Sequence, residues 1–333
     1  MSSGERPNPE SFTSLADRLL VAPEVAAAIA ARRPVVALES TLISHGLPYP
    51  DNVDVARASQ AAITSAGAVP ATVAIRDGRV LVGLSNADLE SLGAAERGSI
   101  AKAARPTLAV ALAAPGWAAT TVSATMMAAH AAGIDVFATG GIGGVHRGAL
   151  AAAGDRISTD RSRPPTLDIS SDLEELARTP TIVVCAGPKA ILDVPATIEY
   201  LETRGVPVIA VGQAEVAGFF ARSSGVRAPI SAPDLAAAAR LASIHLGLGV
   251  GSGVLICVPV PEPNALPPRT TREAVDRAVV EADAQGIAGP ALTPWLLARV
   301  ATLTEGASVR ANRALIINNA AAAGHIARLL ARG

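Results

Sequence analysis

Aromatic residues are nearly missing from this sequence: two Trp, two Tyr and four Phe make up 2% of 333 residues. Single-stranded nucleic acids are bound by stacking bases on such rings, and duplexes by a basic face. Neither is present, because 28 Lys+Arg stand against 29 Asp+Glu without a dense basic block, so no nucleic-acid partner is expected. Cysteine is scarce too. Cys185 and Cys257 are too few for a disulfide framework or a four-thiolate zinc site. Each lies in an apolar run, Thr181–Cys185 and Val254–Val258, where a small buried thiol is expected. Apolar stretches are cut by Pro115-Gly116 or by charges, well short of the ~20 residues of a membrane span. The opening MSSGERPNPESF is polar and shows no h-region of a secretory signal. No membrane partner is expected, and a reducing, cytoplasmic location is the simplest expectation.

Aliphatic residues are abundant. Hydrophobic residues make up 50% of the chain and charged ones 17%, which excludes a largely disordered chain and permits a sizeable aliphatic core. Strand-type runs are Val35–Leu38, Ala71–Ile75, Val80–Leu84, Leu108–Ala113, Asp135–Ala138, Ile182–Cys185, Pro207–Val211 and Val254–Val258. Helical periods lie between them, at Val53–Ser65, Ser123–Ala132, Ala196–Arg204 and Ala232–Leu246. Arg76-Asp77-Gly78-Arg79 reads as a hairpin turn. The remaining alternation predicts an α/β fold: a mainly parallel sheet flanked by helices (α/β/α), with a helical C-terminal section from about Thr271 and a long helix near Ala314–Ala331. Residues 1–19 read as a polar tail and 20–330 as one catalytic domain. Two segments break the rhythm: a polar excursion at Ala151–Pro165, and Pro259–Arg269, whose five prolines suit a semi-rigid connector.

Open α/β sheets bind ligands at the carboxyl ends of their strands, so the residues following the apolar runs are the first candidates. Val35–Leu38 ends in Glu39, where burial would suit a carboxylic acid for proton transfer; an N-cap or a salt-bridged Glu fits the position equally. Val136–Ala138 runs into Thr139-Gly140-Gly141-Ile142-Gly143-Gly144-Val145-His146-Arg147-Gly148. Such glycines could let backbone N–H groups cradle a phosphate, with His146 or Arg147 adding charge, or could form a plain turn. Ile182–Cys185 leads to Lys189; a lone lysine is most often a surface charge, but its almost entirely apolar flanks weaken that reading and leave room for an amine nucleophile. Asp168 and Asp172, four apart, offer hard oxygens to Mg²⁺ or Mn²⁺, while Ser170 and Ser171 beside them also suit helix capping. Of the five histidines none shows zinc-ligand spacing; His130, His245 and His325 fall in alanine-rich helices and are expected to be structural.

Larger blocks carry a resemblance. Ala37-Leu38-Glu39-Ser40-Thr41 with His45-Gly46-Leu47-Pro48-Tyr49-Pro50, Thr120 to Met126, Phe137 to Gly148, Asp168 to Leu173, and Val184 to Lys189 closely resemble the pseudouridine-5'-phosphate glycosidases. The likeness continues through Thr197–Pro207, Pro259–Glu262 and Asn318-Asn319-Ala320, and spans about Leu20 to Arg328. It implies reversible cleavage of the C–C glycosidic bond of pseudouridine 5'-phosphate into uracil and ribose 5-phosphate. Paired-carboxylate glycosidase chemistry fits poorly, because the leaving atom is a ring carbon. The family's solution is an imine between a lysine and C1' of the opened ribose. By the resemblance, Lys189 is the Schiff-base lysine, Glu39 the acid/base and Asp168 the residue associated with Mn²⁺. Lys102, Val122, Ser170, Ser171 and Asp172 match substrate contacts, and Thr139, Gly140, Gly141, His146 and Asn312 fall in blocks around the ligand. A homotrimer is the implied assembly.

The chain departs from the family in two places. Around Lys102 the family usually reads Lys-Val-Ser-Arg-Arg-Asp-Leu, and here Lys102-Ala103-Ala104-Arg105-Pro106-Thr107-Leu108 keeps Lys102 and Arg105 but lacks one Arg and the Asp. The excursion near Leu150–Pro165 is about fifteen residues longer than usual. It leaves open a second enzyme reading, a C-glycosynthase joining ribose 5-phosphate to another aromatic acceptor. A non-catalytic sugar-phosphate-binding protein would not need Glu39, Asp168 and Lys189 together. Lengthening a surface loop costs little entropy, so the excursion is expected to be inert to folding. Trimming Ala152–Arg163 should leave the Tm nearly unchanged; a collapse in a thermal melt would identify the segment as packed structure.

Overall fold

Along the central strands successive side chains enter two different cores: Val35 and Ala37 face one, Val36 and Leu38 the other. That alternation makes a sheet buried on both faces, as a mainly parallel sheet must be. The computed structural model describes residues 14–96, 98–149, 167–287 and 289–331. In chain order the elements are β1 (Leu19–Val21), α1 (Pro23–Ala30), β2 (Val35–Leu38), α2 (Asp51–Ser65), β3 (Val69–Arg76), β4 (Arg79–Val82), α3 (Asn86–Gly93), β5 (Ala101–Ala103), α4 (Leu108–Ala113), β6 (Trp117–Thr120), α5 (Val122–Ala131) and β7 (Val136–Ala138). They continue as β8 (Val145–His146), α6 (Ser171–Leu176), β9 (Ile182–Cys185), β10 (Leu192–Asp193), α7 (Val194–Thr203), β11 (Val208–Val211), β12 (Ile230–Ala232), α8 (Leu235–Gly247), β13 (Val254–Cys257), α9 (Pro268–Ala284), α10 (Leu292–Leu303) and α11 (Ala307–Leu330).

The main sheet runs β1-β4-β3-β2-β7-β9-β13-β11-β12, with β6 also on β3 and β5 on β6. From β3 to β12 along this order neighbouring strands are parallel. The exceptions are the predicted hairpin, where Arg76 pairs with Arg79, and β6, which lies antiparallel to β3. Helices α1, α5, α6 and α7 cover one face; α2, α8 and the C-terminal half of α11 cover the other. The helical section after Thr271 packs through α9, α10 and the first half of α11 against the loop that follows β9. Both thiols are free and wholly buried. They are neighbours, since Cys257 pairs in register with Cys185, and contact with Cys185 together with burial pushes the Cys257 thiol well above its usual pKa. No helix of the described residues is long and apolar enough to cross a membrane.

Three sequence expectations are corrected. Leu108–Ala113 is the helix α4, not a strand: Leu108 and Ala111 are buried while Val110 is 70% exposed, a three-residue period that alanine favours. Strand β12 ends on Ala232, and Asp234 caps α8 by accepting from the Ala237 N–H at 2.8 Å, so that helix starts later than expected. The sheet already begins at Leu19, where β1 pairs with β4. The excursion at Ala151–Pro165 lies outside the described residues.

Arg105 has a clear task. Its guanidinium pairs with Glu175 of α6, which is 1% exposed and also accepts from the Thr179 hydroxyl. This contact ties the segment carrying Lys102 to the helix that follows Asp168. Arg105→Met would leave a buried carboxylate without its cation, with an expected loss on the order of 3 kcal/mol. Chemical denaturation measures it, and an unchanged midpoint would show the pair to be idle.

Candidate functional site

Glu39 emerges from β2 at the carboxyl edge of the sheet, half-buried. The Thr139 hydroxyl donates to its Oε1 and the Thr41 hydroxyl to its Oε2. Ser40, next along, is fully buried and turns the other way, where its Oγ accepts from the Thr120 N–H at 2.9 Å. That bond anchors the base of the Glu39 turn to β6. Beside Glu39 lies a small cavity of about 20 Å³, lined mainly by Leu38, Leu42, Ala56, Ala138 and Ile316 with the hydroxyls of Ser59 and Thr72.

The glycine-rich segment after β7 is closely packed against its surroundings. The N–H groups of Thr139, Ile142, Gly143, Val145 and His146 all donate within the protein, to Val184 O, Gly187 O, Asp172 Oδ2, Thr197 Oγ1 and Asp168 O respectively. What the glycines supply is room. A Cβ on Gly141 would lie 2.6 Å from the Phe219 ring, and one on Gly143 would lie 2.2 Å from Ser170 Oγ. Arg147 is engaged too, with Asp276 of α9 at 2.5 Å, so it is not the free anion-binding charge that its sequence position suggested.

Lys189 stands after the turn that leaves β9, and its N–H donates to Ile142 O at 3.1 Å. Lys102 lies on β5 across the site. Its ammonium is open to water yet ringed by protein, and this desolvation, then the like charge of Lys189, pulls its pKa below the ordinary lysine value; Asp172 and Glu39 oppose the shift. Glu39, Lys102, Asp172 and Lys189, distant in sequence, thus share one electrostatic neighbourhood. His146 belongs to it as well: burial lowers its pKa, Asp168 opposes that and Lys189 adds to it.

Asp172 is 6% exposed, and its carboxylate holds two backbone segments, accepting from the Ser123 N–H at 3.0 Å and the Gly143 N–H at 2.9 Å. Its place at the N-terminus of α5 also suits the helix dipole. Ser170 caps α6, and Ser171 Oγ lies 3.3 Å from Ser123 Oγ. Val122 is buried in the core at the start of α5. Asn312 is half-buried on α11, three, four and seven residues before Leu315, Ile316 and Asn319, a spacing that places it on the helix face packed against Gly140. Asp168 is exposed beside His146. Among the described residues no group of three or more His, Cys, Asp or Glu could enclose a metal ion. With Asp172 already engaged, the donor set fits Mn²⁺ only as a site of one carboxylate completed by water and ligand oxygens.

Phe219 was not expected. It adopts φ 61° and is 3% exposed, with its ring against Gly141 and its N–H donating to Ala186 O at 3.1 Å. A bulky residue in the left-handed region is strained. It wedges between the glycine junction and the turn that leads to Lys189. No local pattern announces such a conformation.

Fold and site define an α/β protein whose sheet edge gathers two lysines with carboxylates, a constellation suited to carbonyl and sugar-phosphate chemistry. Residues 24–329 match the model of the indigoidine synthase A like proteins. The pseudouridine-5'-phosphate glycosidase of Solibacter usitatus is 49% identical over 309 residues, 93% of this chain and 98% of that protein. That of a Jannaschia species is 49% identical over 312 residues, covering 94% and 98%. Among solved structures, the prealnumycin C-glycosynthase AlnA in complex with ribulose 5-phosphate matches with TM-score 0.82 and 37% identity, over 94% of this chain and 97% of its own. An indigoidine synthase A-like protein of Thermotoga maritima matches with TM-score 0.79 and 29% identity, again over 94% and 97%. The chain belongs to the indigoidine synthase A-like family, which includes the pseudouridine-5'-phosphate glycosidases.

The Lys102 shift has a consequence for stability. A lysine whose folded pKa lies below its unfolded value makes the protein gain stability as pH rises from the folded pKa toward about 10.5. Lys102→Met should therefore melt above the wild type at pH 7, with the gap narrowing toward pH 10. Thermal melts across that range check the sign, and a less stable variant at pH 7 would show that the charged Lys102 is no burden to the fold.

Proposed function

We propose that this protein reversibly cleaves the C–C glycosidic bond of pseudouridine 5'-phosphate, releasing uracil and ribose 5-phosphate through an imine on Lys189. The observation that carries the reading is the convergence of Lys189, Lys102 and Glu39 at one edge of the sheet. The 49% identity to glycosidases supports this substrate. The neutral amine of Lys189 bonds to C1' of the ribose as the C1'–O4' bond breaks and the ring opens, and the proton the nitrogen sheds passes to O4'. Glu39 delivers a proton to the pyrimidine carbon as the C1'–C5 bond breaks, and its electron pair stays with the departing uracil. The iminium left on Lys189 takes up water and returns ribose 5-phosphate and the free amine. Lys102 disfavours a second charge beside the reacting amine and attracts the phosphate or the developing negative charge on the base. Thr41 and Thr139 orient the acid.

Asp168, with His146 beside it, would hold Mn²⁺ together with water and substrate oxygens. The ion would supply charge for orienting the sugar phosphate. On this reading metal binding is weak without ligand and tightens with ribose 5-phosphate. Calorimetry with Mn²⁺ alone and with both should show the difference, and full turnover after exhaustive chelation would remove the metal from the account. The assembly proposed is a homotrimer and the location cytoplasmic; light scattering of the pure protein checks the first.

A second reading has one observation in its favour, the likeness to the C-glycosynthase AlnA. Release of uracil from pseudouridine 5'-phosphate separates the two. Lys189→Arg should fold yet form no borohydride-dependent adduct with ribose 5-phosphate, because a guanidinium stays protonated. Glu39→Gln should keep the adduct but lose turnover by roughly 10²–10⁴-fold, the usual contribution of proton transfer. An adduct mapped to Lys102, or wild-type turnover in Glu39→Gln, would overturn the corresponding role.

A further inference from the structure

We propose that Asn319 is a positioning residue for Glu39, acting through Thr139; the catalytic part of this inference rests on the function proposed above. Asn319 lies on α11 and is fully buried. Its Nδ2 donates to Thr139 O at 2.9 Å and to Gly140 O at 3.2 Å. Its Oδ1 is buried with no hydrogen-bond partner among the described residues. A buried acceptor without a donor is a penalty that an apolar side chain of similar size would avoid. What asparagine brings here, and leucine would not, is the pair of N–H donors.

Those donors act just beyond the last residue of β7, where regular pairing within the sheet stops. The N–H of Thr139 is held by Val184 O at 3.0 Å, and its carbonyl is held by Asn319. Gly140 O accepts from both Ala186 N–H, at 3.0 Å, and Asn319. The backbone of residue 139 is thus fixed from both sides, by the neighbouring strand and by a helix. Its hydroxyl is the group that donates to Glu39 Oε1. Thr41, the donor to Oε2, belongs to the same segment as Glu39 and moves with it. Thr139 is therefore the link between the acid and an independently anchored element, and Asn319 is the anchor. An acid that must give up a proton and take it back needs one carboxylate orientation throughout, which this relay supplies.

The test is a double-mutant cycle between Asn319→Ala and Thr139→Val, read in two ways. The first needs no substrate: the side-chain carboxyl ¹³C signal of Glu39 in the free protein, assigned by its loss in Glu39→Gln. Asn319→Ala should displace that signal in the direction seen for Thr139→Val, and the double variant should coincide with Thr139→Val. A signal left at the wild-type position in Asn319→Ala, or a double variant displaced by the sum, would overturn the proposal. The second reading is turnover. Each single variant should lose about 10-fold or more in kcat for uracil release with KM little changed, and the double variant should be no worse than Thr139→Val. The borohydride adduct on Lys189 should survive in both, whereas a merely structural role would lower adduct, kcat and Tm together and add to the Thr139 effect. A wild type that releases no uracil would sink the proposed function, while the carboxyl signal would still decide the role of Asn319. Should Asn319→Ala fail to fold, Asn319→Ser is read in the same way.

Discussion

The site depends on how closely backbone segments approach one another at the glycine junction after β7. At Gly141 the ring of Phe219 and the carbonyl of Gly187 lie where a side chain would begin, and at Gly143 the Ser170 hydroxyl does. A Cβ at Gly141 would push the turn after β9 away from the turn after β7, and one at Gly143 would push away the start of α6. Because the gaps are absent, Lys189 and Glu39 both come near enough to act on Lys102, and the carboxylate of Asp172 can reach two amides at once. Close packing of this kind is unforgiving of added volume. It is also what makes the site rigid: five amides of the junction are already hydrogen-bonded inside the protein.

Two carboxylates in one electrostatic neighbourhood have different tasks because their surroundings differ. Asp172 accepts from backbone amides on both oxygens and is nearly sealed from solvent, so it works as a fixed strut whose charge steadies the start of α5. Glu39 accepts from two hydroxyls and borders a small cavity. Hydroxyl partners can rotate and exchange donor for acceptor, so the hold on Glu39 is adjustable where the backbone's hold on Asp172 is not. Environment assigns the roles.

The central strands were legible because β2, β7, β9, β11 and β13 are buried on both faces and read as unbroken aliphatic runs. Leu108–Ala113 looked the same and is a helix. A six-residue run of Leu, Ala and Val has no decisive period, and alanine then favours the helix. Strands β5 and β6 do not stand out in the sequence because Ala101–Ala103 and Trp117–Thr120 are only three and four residues long and half or more alanine. Position at strand ends made Glu39 and Lys189 candidates and the resemblance implied their roles, while their shared electrostatic neighbourhood with Lys102 and Asp172 is visible only in the fold. The glycine run was legible as a special backbone, but composition does not show how closely its surroundings pack against it. Phe219 and Asn319 were opaque for a related reason: a left-handed aromatic and a buried amide matter through partners remote in sequence.

The C-terminal section is part of the site as well as a cover for the sheet. Helix α11 spans 24 residues, about 36 Å at the usual helical rise. Its second half seals the sheet against α2 and α8 with alanines and Ile326. Its first half joins α9 and α10 around Leu315 and Ile316, the residues that lie against Gly140. Asn319 stands where the two halves meet, so the helix cannot slide along its axis without dragging Thr139 or emptying one of its two apolar contacts. A single rod thereby keeps Thr139, and through its hydroxyl Glu39, in register with the core, so the fold's last element bears on the end of its second strand.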